Sequence, residues 1–136
     1  MVVDTNIALD LLMFGDPATA SLRRALDAGR LQWIATPPMR CELALVLAYP
    51  HIAARLQRQA LDAVAVLAGF DARVRLLEEA PRAGCVCKDA DDQKFIDLAA
   101  AHGALLLSKD RAVLRLRKRL AERHGAQVAA ACPDGV

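Results

Sequence analysis

The 136-residue sequence has few aromatic residues, few cysteines and no long apolar segment. Aromatic residues make up 4% of the chain, so few side chains are available on which the bases of single-stranded nucleic acid could stack. Among the four cysteines, the close pair Cys85 and Cys87 has no second pair or nearby histidine, which favours reduced thiols over a zinc site or a disulfide framework. No apolar run approaches the roughly 18 residues that span a bilayer. Residues 1–4 include an acid and no basic residue, so we expect no signal peptide and a cytoplasmic protein.

Net charge and glycine pattern bear on two further classes of protein, those that bind polyanions and those that bind dinucleotides. The net charge of +2 is too small to indicate a polyanion partner by itself, although residues 109–123 carry seven Lys or Arg against two acids. No Gly-x-Gly-x-x-Gly segment is present, which argues against a dinucleotide-binding domain. The length predicts a single domain over residues 1–136, with a core that needs no disulfide.

Short apolar segments alternate with helical patterns along the chain. Strands are predicted at residues 1–3, 31–35, 104–107 and 126–131, with residues 73–77 as a fifth candidate. Helices are predicted from the residue after Asp4, from Asp16 to Gly29, at 39–48, at 51–67 with Gly69 as its stop, from Asp92 to Gly103, and after Asp110. This alternation predicts an α/β fold with helices on both faces of a central, mostly parallel sheet of about five strands.

Acidic residues are placed where the predicted strands end and helices begin. Asp4 follows the first strand, Asp110 follows the strand at 104–107, and three acids fall within residues 89–92 at a helix start. Helix capping explains one or two such acids, but a third adds repulsion that a bound cation would relieve. Glu42 is the one acid on an apolar helix, and its alternative roles are an edge position or a partner for Arg40. We expect these carboxylates to meet at one sheet edge, without Lys or Arg among them.

The order of these segments resembles the PIN domain family, in particular small bacterial PIN proteins related to VapC-type toxins. The resemblance covers the whole chain, and the Asp-Asp-x-Lys-Phe-x-x-Leu-Ala segment that begins at Asp91 is its most specific part. It implies a three-layer α/β/α fold. It assigns metal binding and catalysis to four acids: Asp4, Glu42, Asp92 and Asp110. It assigns supporting roles to four neighbours: Asn6, Ser108, Asp89 and Asp91.

The resemblance implies a metal-dependent endoribonuclease that uses Mg²⁺ or Mn²⁺, which prefer oxygen ligands. It also implies RNA as the substrate, an antitoxin as the protein partner, and a homodimer. Five basic residues are candidates for holding the RNA backbone, although a solvated helix face explains them equally well: Arg23, Arg24, Arg111, Arg115 and Lys118. The alternative function is a non-catalytic PIN-type module that binds nucleic acid or protein. Loss of one of the four acids would favour that alternative, and none is lost.

Overall fold

The computed structural model describes residues 1–14 and 17–133. In this part of the chain there are five strands: β1 (Val2–Val3), β2 (Trp33–Ala35), β3 (Val74–Leu76), β4 (Leu106–Leu107) and β5 (Val128–Ala129). The α-helices are α1 (Thr5–Leu9), α2 (Ala20–Asp27), α3 (Pro37–Leu47), α4 (Pro50–Arg58), α5 (Ala63–Arg73), α6 (Gln93–His102), α7 (Arg111–Leu114) and α8 (Arg117–His124). A π-helical turn (Asp10–Phe14) follows α1, and 3₁₀ turns precede α2 (Pro17–Thr19) and α6 (Ala90–Asp92). The predicted cap residue Asp16 lies outside the described residues.

The strands are parallel but form two sheets. The main sheet has the order β1-β4-β5, with Val2 opposite Leu106 and Leu106 opposite Val128. The second sheet pairs β2 with β3. The mixed α/β architecture with parallel strands is therefore confirmed, whereas the prediction of about five strands in one central sheet is wrong. Strand β1 has two residues and β2 has three. The two strands are connected by a backbone hydrogen bond of 2.9 Å from Ile34 N–H to Met1 O, but they are not paired in one sheet.

Helix α6 connects the sheet to the acidic segment. Its apolar residues recur at helical spacing, and Phe95, Ile96, Leu98 and Ala99 are all buried against the core. Gly103 ends the helix in the left-handed conformation (φ +56°), which glycine adopts without strain. Because α6 packs against β1 and β4, its first turn lies near the ends of those strands.

The predicted helix over residues 51–67 is wrong, because two helices occupy that region. Ala60 has a positive φ of 54°, and Asp62 begins α5 by accepting the Ala65 N–H at 2.8 Å. The alanine-rich pattern continues across this break, so periodicity alone does not detect it. Gly69, expected to stop the first helix, lies inside α5. Within the described ranges, no helix is long and apolar enough to cross a membrane.

Candidate metal centre

Asp4 and Ser108 tie together the ends of two neighbouring strands. Asp4 directly follows β1 and caps α1, because its Oδ1 accepts the Ile7 N–H at 2.9 Å. Its Oδ2 accepts a 2.6 Å hydrogen bond from the fully buried Ser108 hydroxyl, which directly follows β4. Ser108 Oγ also accepts the N–H of Asp110 at 3.1 Å. One serine therefore orients the carboxylate of Asp4 and the backbone of Asp110.

Burial dominates the electrostatics of Asp4. Its side chain is nearly inaccessible, and this loss of solvent raises its carboxyl pKa above the ordinary value. The hydrogen bonds from Ser108 and Ile7 oppose the increase, and the charges of Asp110 and Asp10 add to it. Asp4 is thus a buried carboxylate that two donors hold in place. Each carboxylate oxygen still has a lone pair available, because these donors use only part of its acceptor capacity.

Three other acids form the densest negative cluster. Asp89, Asp92 and Asp110 each offer a carboxylate oxygen, and these atoms lie within 4.8 Å of one another. The Oδ2 atom of Asp92 is buried and accepts no hydrogen bond from a donor group among residues 1–14 and 17–133. The pKa of Asp92 is raised to about 7, first by burial, then by the charges of Asp110 and Asp89, and further by a hydrogen bond with the Asp110 side chain that forms only when one of the two carboxyl groups is protonated. Such repulsion needs either a proton or a cation among the carboxylates.

The donor set of this cluster fits a hard divalent ion. Carboxylate oxygens bound to one Mg²⁺ at about 2.0–2.1 Å lie up to ~4.2 Å apart, so the three acids need only a small approach. Asp110 and Asp89 are fixed by their own backbone contacts: Asp110 accepts the Ala112 N–H at 2.8 Å, and Asp89 accepts the Asp91 N–H at 3.0 Å. The cluster could therefore bind a metal ion.

Glu42 is the fourth acid that the resemblance assigns to metal binding, and it has a positively charged partner. Its Oε1 lies 2.9 Å from Lys94 Nζ, and its Oε2 accepts a hydrogen bond from the Thr5 hydroxyl. Lys94 Nζ also donates to the backbone oxygen of Asp91. The expectation that no Lys or Arg stands among the carboxylates is wrong. Arg40, the alternative partner for Glu42, instead makes two 2.8 Å hydrogen bonds with Asp71.

The four acids assigned by the resemblance share one cleft of about 310 Å³. The cleft also includes the predicted supporting residues Asn6 and Asp89. Its full lining combines acids with apolar and aromatic residues: Asp4, Thr5, Asn6, Leu9, Glu42, Val46, Tyr49, His51, Ile52, Asp89, Asp92 and Asp110. Asp91 is exposed beside it, where its backbone oxygen accepts from Lys94.

Gln93 holds the segment before Asp89 and was not anticipated from the sequence. Its buried side chain accepts the Cys87 N–H at 2.7 Å and donates to Cys85 O at 2.9 Å. It also donates to Asp97 Oδ1, which accepts the Ala83 N–H. Gln93 thereby fastens residues 83–87 to α6. Its sequence position, one residue after the acids, gives no signal that this amide is buried. Within the described residues the cysteines form no disulfide.

The predicted basic residues divide into two groups. Arg111, Arg115 and Lys118 are exposed and line an open depression of about 440 Å³ with Leu114 and Arg117. Arg111 directly follows Asp110 in the chain, so this depression begins beside the acidic cluster.

The second group lies on α2. Arg24 is exposed, whereas the half-buried Arg23 guanidinium donates to the backbone oxygen of Leu11. Arg23 therefore has a structural contact that competes with a role in RNA binding.

Comparison with known proteins identifies the family. A model of the PIN domain matches residues 1–112, so the chain belongs to the PIN domain family. No curated protein matches the chain. PIN domains are commonly nucleases that use divalent metal ions, and the acidic cluster of Asp89, Asp92 and Asp110 is consistent with that kind of function.

Proposed function

We propose that this protein is a metal-dependent endoribonuclease that hydrolyses RNA phosphodiester bonds at the acidic cleft. The observation that carries the proposal is the buried Oδ2 of Asp92, which accepts no hydrogen bond from any donor group in the described part of the chain and lies among other carboxylates. A buried, unsatisfied carboxylate oxygen is costly unless a ligand completes it. A Mg²⁺ or Mn²⁺ ion is the ligand that this oxygen-only set favours.

In this proposal Asp92 and Asp110 bind the metal directly, with Asp89 beside them. Asp4 contributes through its remaining lone pairs, and Glu42 completes the set through water. When bound, the metal lowers the pKa of a coordinated water and stabilises negative charge on the phosphate. In the hydrolysis a water oxygen would bond to phosphorus as the bond from phosphorus to O3′ breaks, and one proton of that water would pass by way of solvent to O3′, so that the products would be a 5′-phosphate and a 3′-hydroxyl. Ser108 holds Asp4 and Asp110 in fixed relative positions, because it forms a hydrogen bond with each of them.

The finer assignment is that the protein is the toxin of a toxin–antitoxin pair. It rests on the similarity of residues 91–99 and their flanking acids to VapC-type proteins. We infer a homodimer and an antitoxin that covers the cleft. If so, induced expression in bacteria stops growth, Asp92→Asn removes the effect, and coexpressed antitoxin suppresses it. Normal growth at matched expression of the wild type would contradict the toxin assignment without affecting the nuclease.

One observation favours the alternative, a PIN-type module that binds nucleic acid or protein without cleavage. The ion pair between Lys94 and Glu42 neutralises one of the four predicted metal-binding acids. If this pair persists when a metal is present, Glu42 does not help to bind the ion. The alternative then predicts metal binding and RNA binding without turnover.

Cleavage of a labelled RNA pool distinguishes the two functions. Wild type, Asp92→Asn and the control Asp62→Asn are compared with Mn²⁺, with Mg²⁺ and with EDTA. Asp62 is an exposed helix cap, and asparagine caps helices equally well, so this control changes the same charge outside the cleft. We expect metal-dependent cleavage by wild type and control, and loss of at least a hundredfold in Asp92→Asn. Equal cleavage by all three proteins would indicate a contaminating nuclease and overturn the proposal.

A further inference from the structure

The cleft has an apolar and aromatic side that metal binding does not explain. Five of its lining residues are apolar or aromatic and come from three helices or their junctions: Leu9, Val46, Tyr49, His51 and Ile52. A site that held only an ion would not need these side chains. Ligand sites typically combine such apolar surfaces with a few polar groups that fix orientation. The volume of about 310 Å³ is at the lower end of the range for small-ligand pockets.

Tyr49 is the aromatic residue of this surface, and its backbone is held from both sides. Its N–H donates to Val46 O at 3.0 Å at the end of α3, and its carbonyl accepts from Ile52 N at 3.0 Å at the start of α4. The following Pro50 further restricts its conformation. The Tyr49 and His51 rings lie 6.2 Å apart between centroids, with 35° between their planes. The two rings are therefore positioned without a ligand.

The exposure of Tyr49 is unusual for this protein. Among the Phe, Trp and Tyr side chains that the structure describes, Trp33, Phe70 and Phe95 are each at most 3% exposed, whereas Tyr49 is 50% exposed. Trp33, Phe70 and Phe95 thus contribute to the core. Tyr49 is the one Phe, Trp or Tyr side chain in this described set that is exposed, and it lies in the cleft that contains the acids, beside the exposed His51.

We propose that Tyr49, with His51 beside it, forms a stacking surface for one unpaired nucleobase next to the phosphate that is cleaved. This inference rests on the proposed nuclease function and assigns to Tyr49 and His51 the contact with one unpaired base of its RNA substrate. Stacking of a base on an aromatic side chain tolerates any sequence, because every base has a π-face. Bases in a duplex are already stacked on their neighbours and cannot use such a surface.

Steady-state cleavage tests the surface. Wild type, Tyr49→Ala, Tyr49→Phe and the control Val64→Ala act on a single-stranded oligoribonucleotide and on the same strand with abasic positions flanking the cleavage site. Val64 is an exposed apolar residue on α5, outside the cleft lining. We expect Tyr49→Ala to raise KM by about 5- to 100-fold on the intact strand, with Tyr49→Phe within about threefold of wild type. On the abasic strand the difference between wild type and Tyr49→Ala should largely disappear.

A second measurement does not depend on cleavage. Tyr49 is the only tyrosine in the chain, so incorporation of 3-fluorotyrosine gives one ¹⁹F signal from this site. With Ca²⁺ in place of Mg²⁺, we expect this signal to shift on addition of the single strand and to stay unchanged with the matching duplex. An unchanged signal with the single strand, or an equal loss for Tyr49→Ala on intact and abasic strands, would overturn the stacking surface.

The two readouts separate the inference from the proposed function. If wild type cleaves RNA but Tyr49→Ala cleaves equally well and the ¹⁹F signal does not move, the nuclease stands and the stacking surface is wrong. If no protein cleaves RNA but the signal shifts with single strands, the stacking surface stands in a binding module. If neither cleavage nor a shift occurs, both are wrong.

Discussion

Replacement of Asp92 by asparagine should stabilise the metal-free protein at high pH, although it removes a proposed metal ligand. In the folded protein the pKa of Asp92 is raised to about 7 by burial and by the charges of Asp110 and Asp89, from an ordinary value of 3.8. The folded state therefore binds this proton more tightly than the unfolded chain does. The stability that the proton provides is fully present below about pH 3.8 and is lost as pH rises through about 7. Above that pH the folded protein holds an unfavourable charge, which asparagine lacks.

The magnitude follows from the two pKa values. A tenfold difference in proton affinity corresponds to about 1.4 kcal/mol, so the interval from 3.8 to about 7 would correspond to about 4 kcal/mol. Asp92 is only partly buried, and solvent screening reduces the contribution of such a group. We therefore expect Asp92→Asn to gain about 1–2 kcal/mol at pH 8 in EDTA.

Urea unfolding at pH 8 and pH 5 measures this gain. In EDTA at pH 8 the midpoint of Asp92→Asn should exceed that of wild type, and at pH 5 the difference should shrink, because wild-type Asp92 is then mostly protonated. Mn²⁺ should stabilise wild type more than the variant, since only the native site binds it tightly. The control Asp62→Asn should shift by a few tenths of a kcal/mol at most. A variant less stable than wild type at pH 8 in EDTA would refute the argument that charge repulsion strains this site.

The remaining predictions concern the support of the cleft and its basic flank. Ser108→Ala removes the donor to Asp4, and we expect a loss of about 1–3 kcal/mol by urea unfolding and at least a tenfold loss of cleavage. Gln93→Leu leaves two buried backbone groups without partners, and we expect a similar loss of stability with faster amide exchange in residues 83–87. Binding of RNA at several salt concentrations tests whether Arg115 contacts a phosphate. If it does, Arg115→Gln should make the plot of the logarithm of the association constant against the logarithm of salt concentration less steep by about one. Arg75 is also exposed, and Arg75→Gln should leave the slope unchanged.

The convergence of the acids could be predicted because it depends on strand order alone. Asp4 and Asp110 follow apolar segments whose composition predicts buried strands, and parallel neighbours bring their carboxyl ends to one edge. The position of Asp92 follows from the predicted start of a helix whose apolar residues recur at regular helical spacing. These three positions needed no knowledge of side-chain contacts. The grouping of β2 and β3 into a separate sheet could not be read from strands of two or three residues, which carry too few positions to specify a pairing partner.

Contacts between distant residues account for what the sequence did not reveal. Lys94 and Glu42 are 52 positions apart, and only the packed fold shows that they pair. The role of Gln93 depends on the path of residues 83–87, which have no regular pattern. The low aromatic content argued against stacking, but a count cannot show that Tyr49 lies in the cleft. One well-placed ring can serve a site that needs to hold only one base.

Lys94 offsets one negative charge of the cleft through its ion pair with Glu42. Without it, Glu42 would add a further negative charge to a cleft that already contains Asp4, Asp92 and Asp110. The ion pair is partly shielded, with about a quarter of each side chain exposed, so it offsets charge more effectively than an open surface pair. The pair neutralises Glu42 and leaves the Asp92 cluster uncompensated. The unbalanced charge is therefore concentrated at the three acids whose carboxylate oxygens lie within 4.8 Å of one another. At a pH high enough to ionise Asp92, a metal that binds there would relieve repulsion that the other side chains of the cleft do not relieve.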